Sequence, residues 1–190
     1  APSACPPQHM DAGCRGGGMM SLQHPYGALQ QVHQQPARTT VMLRNLPEGF
    51  SRSMLIRMLD EAGLCSLYDF VYMPMNFRTK TSFGYAFVNM VAPNVAQYCY
   101  DHFQGFRQWG VPTDKVCEVS WSDMHQGLTA HIQRYRNSPV MHDSVPDEYK
   151  PVMYLRGVRV PFPPPTKKMR VPRIRRSAEG FRDEDEGDGV

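Results

Sequence analysis

FGYAFVNM, Phe83 to Met90, is the stretch on which the reading of this chain turns. On an extended strand successive side chains alternate faces, so Phe83, Tyr85, Phe87 and Asn89 share one side and Gly84, Ala86, Val88 and Met90 the other. The second side is small and apolar, suited to a core. The first is a row of rings, and rings on a solvent face are what a sheet uses to stack on nucleobases.

Working outward from this strand, TTVMLRNL, Thr39 to Leu46, reads as an earlier one, ended by Pro47 and Gly49. Ser51 or Ser53 can cap a helix that places Met54, Leu55, Met58 and Leu59 at helical spacing and stops at Gly63. Tyr68 to Met73 forms the second strand, and the polar loop NFRTKTS, Asn76 to Ser82, leads into the third. Pro93 opens a second helix through Phe103, and Lys115 to Trp121 is the fourth strand. The order β-α-β-β-α-β is the split βαβ arrangement of ferredoxin-like α+β folds: a four-stranded antiparallel sheet with two helices on one face.

Alternation assigns the faces. Val41, Leu43, Val71, Met73, Val88 and Val119 point to the core with Leu55 and Leu59, leaving Phe70, Tyr72, Glu118 and Ser120 on the ring side. The opposite assignment of the second strand stands as the alternative for Phe70 and Tyr72. Glu118 repels phosphate, which makes a base amino group its more natural partner.

Composition limits the function classes. Residues 1–38 are rich in Pro, Gly, Gln and His and read as a disordered arm. Residues 39–122 form the core, 123–141 a helical extension, and 142–190 a largely irregular tail, basic and then acidic. The core carries seven basic and seven acidic residues, Arg134 to Arg176 eleven against three, and Ser177 to Val190 one against six. A neutral core cannot hold a polyanion by bulk charge, so the ring face must be helped by local cations or by the extension. The five cysteines show neither a disulfide framework nor zinc spacing, which points to a reducing, intracellular compartment. Cys99 and His102 read as helix core, and no metal, cofactor or catalytic site is expected. No apolar run is long enough to span a bilayer, so no membrane partner is expected either. The sequence sets no oligomeric state.

VMLRNL, Val41 to Leu46, resembles the hexamer on the first strand of an RNA recognition motif, and FGYAFVNM resembles its octamer on the third. With YDFVYMP, KVCEVSW and a segment ending RNSPVM, the match is to the C-terminal RNA recognition motif of Mei-two-like proteins, over Thr39 to Met141. The resemblance implies single-stranded RNA as partner and post-transcriptional control. It also implies that the two motif strands lie side by side, so that Met42 and Arg44 stand beside Tyr85 and Phe87. Two positions depart from the pattern. Met42 stands where a stacking ring is common, and Phe83 where a Lys or Arg usually meets phosphate. The nearest replacement cations by topology are Arg44, Arg78 and Lys80.

Beyond the core, Leu128, Ile132 and Tyr135 form an apolar stripe flanked by His131, Arg134 and Arg136. Such a helix either covers the ring face or enlarges its edge. KPVMYLRGVRVPF, Lys150 to Phe162, has strand-like patches broken by Pro151, Gly157 and Pro161. KKMRVPRIRR, residues 167–176, reads as a nuclear localisation signal, an RNA-contacting tail or a solvated run. The rival function is a protein-binding motif, in which Arg107-Gln108-Trp109 after the second helix and Asp60-Glu61 on the first hold a partner peptide. Enzyme chemistry finds no phosphate-cradling loop, metal motif or nucleophile elbow.

Overall fold

The computed structural model describes residues 37–172. Nearly all of the expected arm, the acidic tail and the end of the basic run lie outside these residues. Six strands form one sheet in the order β6-β1-β5-β2-β7-β8, with β1 Thr40–Arg44, β2 Tyr68–Tyr72, β5 Tyr85–Met90, β6 Glu118–Trp121, β7 Val152–Leu155 and β8 Val158–Val160. A two-stranded ribbon, β3 Met75–Asn76 and β4 Thr81–Ser82, stands apart. Helices α1 (Arg52–Leu59) and α2 (Pro93–Phe103) pack on one face, and α3 (Leu128–Tyr135) on the other.

Strands β6, β1, β5 and β2 keep the ferredoxin-like order, every pair antiparallel. Ser51 caps α1 by accepting from Met54 N at 3.2 Å, and Pro93 begins α2, where its missing N–H costs nothing. The α1–α2 face buries Val41, Leu43, Val71, Met73, Val88 and Val119 against Leu55, Leu59, Cys99 and Phe103, as alternation requires.

The sheet is wider than four strands. Val152–Leu155 pairs with β2 through Phe70↔Met153 and Val71↔Val152, and turns back into β8 through Arg156 and Gly157. Both turn residues have positive φ, the geometry of a two-residue hairpin turn matched to strand twist. The segment from 142 onward is therefore not largely irregular as far as Val160. Its prolines flank strands rather than interrupt them, because Pro151 precedes β7 and Pro161 follows β8. Arg52 of α1 anchors the segment, donating to the carbonyls of Asp147 and Lys150 at 2.6 and 2.7 Å and pairing with the Asp147 carboxylate, which also holds Arg159.

A second apolar cluster lies on the α3 side, where Phe70, Tyr135, Val140, Val145, Tyr149 and Met153 are buried together. The sheet is thus sandwiched on both faces near β2 and β7 and over Thr40 at the start of β1, but not over Met42, Arg44 and β6.

Candidate functional site

On the uncovered half, register sets the neighbours. Met42 lies opposite Phe87 on β5 and Ser120 on β6, while Arg44 lies opposite Tyr85 and Glu118. Arg44 and Glu118 are exposed; Met42, Tyr85, Phe87 and Ser120 are half-buried. Three rings run in series, with centroids 6.4 Å apart from Phe83 to Tyr85 and 5.7 Å from Tyr85 to Phe87. Phe83 is 57% exposed. It is not part of the strand as the alternation assumed, since Gly84 at φ +76 breaks the extended backbone there. Its ring still reaches Tyr85.

The other half of the same face is closed. Phe70, expected in the open, is fully buried: the His131 ring stacks on it at 4.3 Å and 17°, and Tyr135 follows at 5.8 Å. Tyr72 is half-buried against Tyr135 at 4.7 Å. The face assignment of the second strand thus holds, but α3 occupies the Phe70 ring. Of the two alternatives for the helix after β6, covering describes this half, while β7 and β8 enlarge the sheet at the β2 edge.

A polar seam pins α3 down. The Gln126 side chain accepts from Thr39 N and Thr40 N and donates to Thr40 O and Ser122 O, at 2.8 to 2.9 Å. Thr40 Oγ1 donates to Asn89 Oδ1 at 2.7 Å and accepts from Gly127 N at 3.0 Å. Asn89, in line with the rings on its strand, is therefore buried by this seam rather than offered to solvent. Since the Thr40 proton is committed to Asn89, His131 Nε2, 3.3 Å from Thr40 Oγ1, must carry the hydrogen between them. His131 Nδ1 is then a buried acceptor without a partner. Burial, with His125 nearby, lowers the His131 pKa to about 4, so the ring is neutral. Sequence reasoning set His131 beside the apolar stripe; its spacing from Leu128 and Tyr135 was the available sign that it lies within it.

Arg78 and Lys80 are exposed on the loop joining β3 to β4, where Asn76 Oδ1 accepts from Arg78 N and Thr79 N. Lys80 lines a cavity of about 150 Å³ with Phe50, Glu148 and Tyr149. On the helical face, a groove of about 380 Å³ is walled by Phe50, Met58, Glu61, Phe106 and Trp109. Trp109 is nearly buried, meeting Phe50 and Phe106 edge to face and donating from Nε1 to Lys115 O at 2.7 Å. Arg107 is exposed and does not line the groove.

Among the described residues no group of His, Cys, Asp or Glu could hold a metal ion. Cys99 and Cys117 are buried free thiols, and burial raises both, Cys117 to about 12, so neither is a nucleophile at neutral pH. No helix among the described residues is long and apolar enough to cross a membrane.

A β-α-β-β-α-β core whose strands β2 and β5 carry rings on the face away from the helices has the architecture of an RNA recognition motif. The sequence profile of the family RNA recognition motif 2 matches residues 38–136, just over half of the chain. The chain belongs to this family, in its Mei2-like branch. It is 33% identical over 148 residues to Meiosis protein mei2 of Schizosaccharomyces pombe, an alignment covering 75% of this chain and 19% of that protein. It is 36% identical over 106 residues to Protein MEI2-like 3 of Arabidopsis thaliana, covering 56% and 14%. With Protein terminal ear1 homolog of Oryza sativa subsp. indica it shares 37% over 134 residues, covering 62% and 19%. The chain thus spans a fifth or less of the length of these relatives. The solved Rna15 RNA recognition motif with bound RNA (GU) superposes with a TM-score of 0.39 at 15% identity, over 50% of this chain and 94% of that one.

Proposed function

We propose that this domain binds single-stranded RNA on the uncovered half of its sheet. Tyr85 and Phe87 serve as stacking rings, with Phe83 extending the row, Met42 packing beside Phe87, and Arg44, Glu118 and Ser120 addressing phosphate and base edges. The observation that carries this reading is the contrast between the two halves of one face: Phe70 is sealed by α3, whereas Phe83, Tyr85 and Arg44 keep exposed surface. Phe87 packs in part against the α3 cluster, but Phe83 and Tyr85 belong to neither apolar cluster, and a base stacked on each ring recovers about 1 to 3 kcal/mol. Tyr72 is a flanking contact, and Phe70 acts only through packing. Post-transcriptional control is the role proposed for the complex. For the basic run 167–176, whose last four residues lie outside the described ones, a second RNA contact or a nuclear address is proposed.

The test is a Tyr85→Ala, Phe87→Ala double variant, titrated with a pool of random single-stranded RNA by fluorescence anisotropy. Affinity should fall about thirtyfold or more while thermal unfolding stays cooperative. Unchanged affinity in a folded double variant rejects the platform.

A second reading, capture of a partner peptide, has the helical-face groove in its favour, with Glu61 beside Phe106 and Trp109. Its sign would be a partner lost on Glu61→Lys but retained in the Tyr85, Phe87 variant.

A further inference from the structure

The ring row meets α3 at one corner. Tyr72, at the end of β2, lies opposite Phe87 in register and touches Tyr135 of α3. Burial raises the Tyr72 phenol, with Tyr135 and Tyr85 adding to the rise and Arg134 opposing it. The Tyr135 phenol, raised to about 12 by burial, feels the same two neighbours, Arg134 and Tyr85. Tyr72, Tyr135 and Arg134 therefore form a cluster at the border between the open and the covered halves, with Phe87 opposite Tyr72 and Tyr85 the next ring along β5.

Arg134 is the exposed member. Its guanidinium carbon sits 5.5 Å from the Tyr135 ring centroid, a cation-π distance, and it has no carboxylate partner within 4.0 Å among the described residues. The contrast with nearby cations is informative. Arg136 is turned to the tail, donating to Pro164 O at 2.8 Å, while Arg44, opposite Glu118 in register but not ion-paired with it among the described residues, stands on the sheet rather than on α3. The Gln126 clasp and the buried Thr40–His131 contact hold α3 in place. A cation carried by so fixed an element loses little conformational freedom when it meets an anion.

We propose that Arg134 contacts the phosphodiester of the nucleotide stacked on Tyr85, with the Tyr72 phenol as a neighbouring hydrogen-bond donor. This rests on the RNA reading above and adds a residue to it. α3 takes Phe70 away from the face and sets a fixed cation at the edge of what remains. The charge missing at Phe83 is supplied from outside the four-stranded core.

The experiment is the salt dependence of binding, measured on the full chain with a pool of random single-stranded RNA. One phosphate contact to a single strand contributes about 0.7 to the slope of log affinity against log salt. Arg134→Gln should lower the slope by about that amount, Arg134→Lys should retain most of it, and Arg136→Gln should leave it unchanged. A parental slope in Arg134→Gln, alongside lost binding in the Tyr85, Phe87 variant, overturns the role of Arg134 and leaves the RNA reading standing. Equal slope losses in Arg134→Gln and Arg136→Gln overturn it as well, since they would report diffuse charge. A parent chain that binds no RNA overturns both.

Discussion

Acid should loosen the cover on the sheet, and His131 sets the window. Its ring is 1% exposed, stacks on Phe70, and has a protonatable nitrogen, Nδ1, with no acceptor in reach. The folded-state pKa is about 4, against 6.5 for the free side chain. The unfolded chain therefore takes up the proton first. The contribution of the neutral ring is full above about pH 6.5, declines as the pH falls, and is lost once the pH passes below the folded value of about 4. At about 1.36 kcal/mol per pKa unit, the loss is about 2 kcal/mol at pH 5 and about 3 kcal/mol once the folded ring also titrates. His131→Phe preserves the stack on Phe70 and removes the titration, and every other group cancels in the comparison. Urea unfolding of both proteins at pH 7 and pH 5 reads the difference directly. The parent should lose about 2 kcal/mol more than the variant over this interval. Equal losses would refute the argument, because they would mean that His131 is not held neutral by burial.

Three further substitutions test the anchoring of the extension. Arg159 first, then Arg52, hold the Asp147 carboxyl well below the usual carboxylate range, a contribution present above the ordinary pKa and lost as acid protonates it. Asp147 is 61% exposed, so water screens these pairs and Asp147→Asn should cost no more than about 1 kcal/mol. Arg52 is 10% exposed and also serves two carbonyls, so Arg52→Ala should cost clearly more in the same urea titration, about 2 to 3 kcal/mol. Gly157 combines φ +79 with a Cβ position that would overlap Ser66 Oγ. Gly157→Ala should therefore cost at least about 1 to 2 kcal/mol and raise amide exchange in β7 and β8 before the rest of the sheet.

The core was legible because each of its elements is local and periodic. Alternation along Phe83 to Met90, Pro93 at the start of a helix and the 54–55–58–59 spacing of α1 carry their geometry within a few residues. Met42 and Arg44 could be placed beside Phe87 and Tyr85 only because the resemblance to an RNA recognition motif implied that the two motif strands are neighbours; the observed register pairs Met42 with Phe87 and Arg44 with Tyr85. Phe70 was assigned to the correct face, but whether that face is open depends on a helix some sixty residues later. Nothing near Phe70 announces His131. The hairpin of β7 and β8 was obscured for a different reason. Arginine is a poor residue for a left-handed turn position, so Arg156-Gly157 lacks the Asn-Gly signature, and the flanking prolines read as breaks. The Gln126 clasp left no trace in pattern at all, because a side chain standing in for a strand has no period.

The half-covered face bears on how much message such a domain can read. With Phe70 withdrawn and the remaining rings spaced 6.4 and 5.7 Å apart, the proposed row offers about one ring to each of two or three consecutive bases. A word that short recurs by chance every few dozen nucleotides in any transcript. On this reading the sheet supplies grip and a few letters, and α3, by shortening the row, trades vocabulary for a fixed cation at its end. The choice of transcript then has to be spelled by chain beyond the sheet.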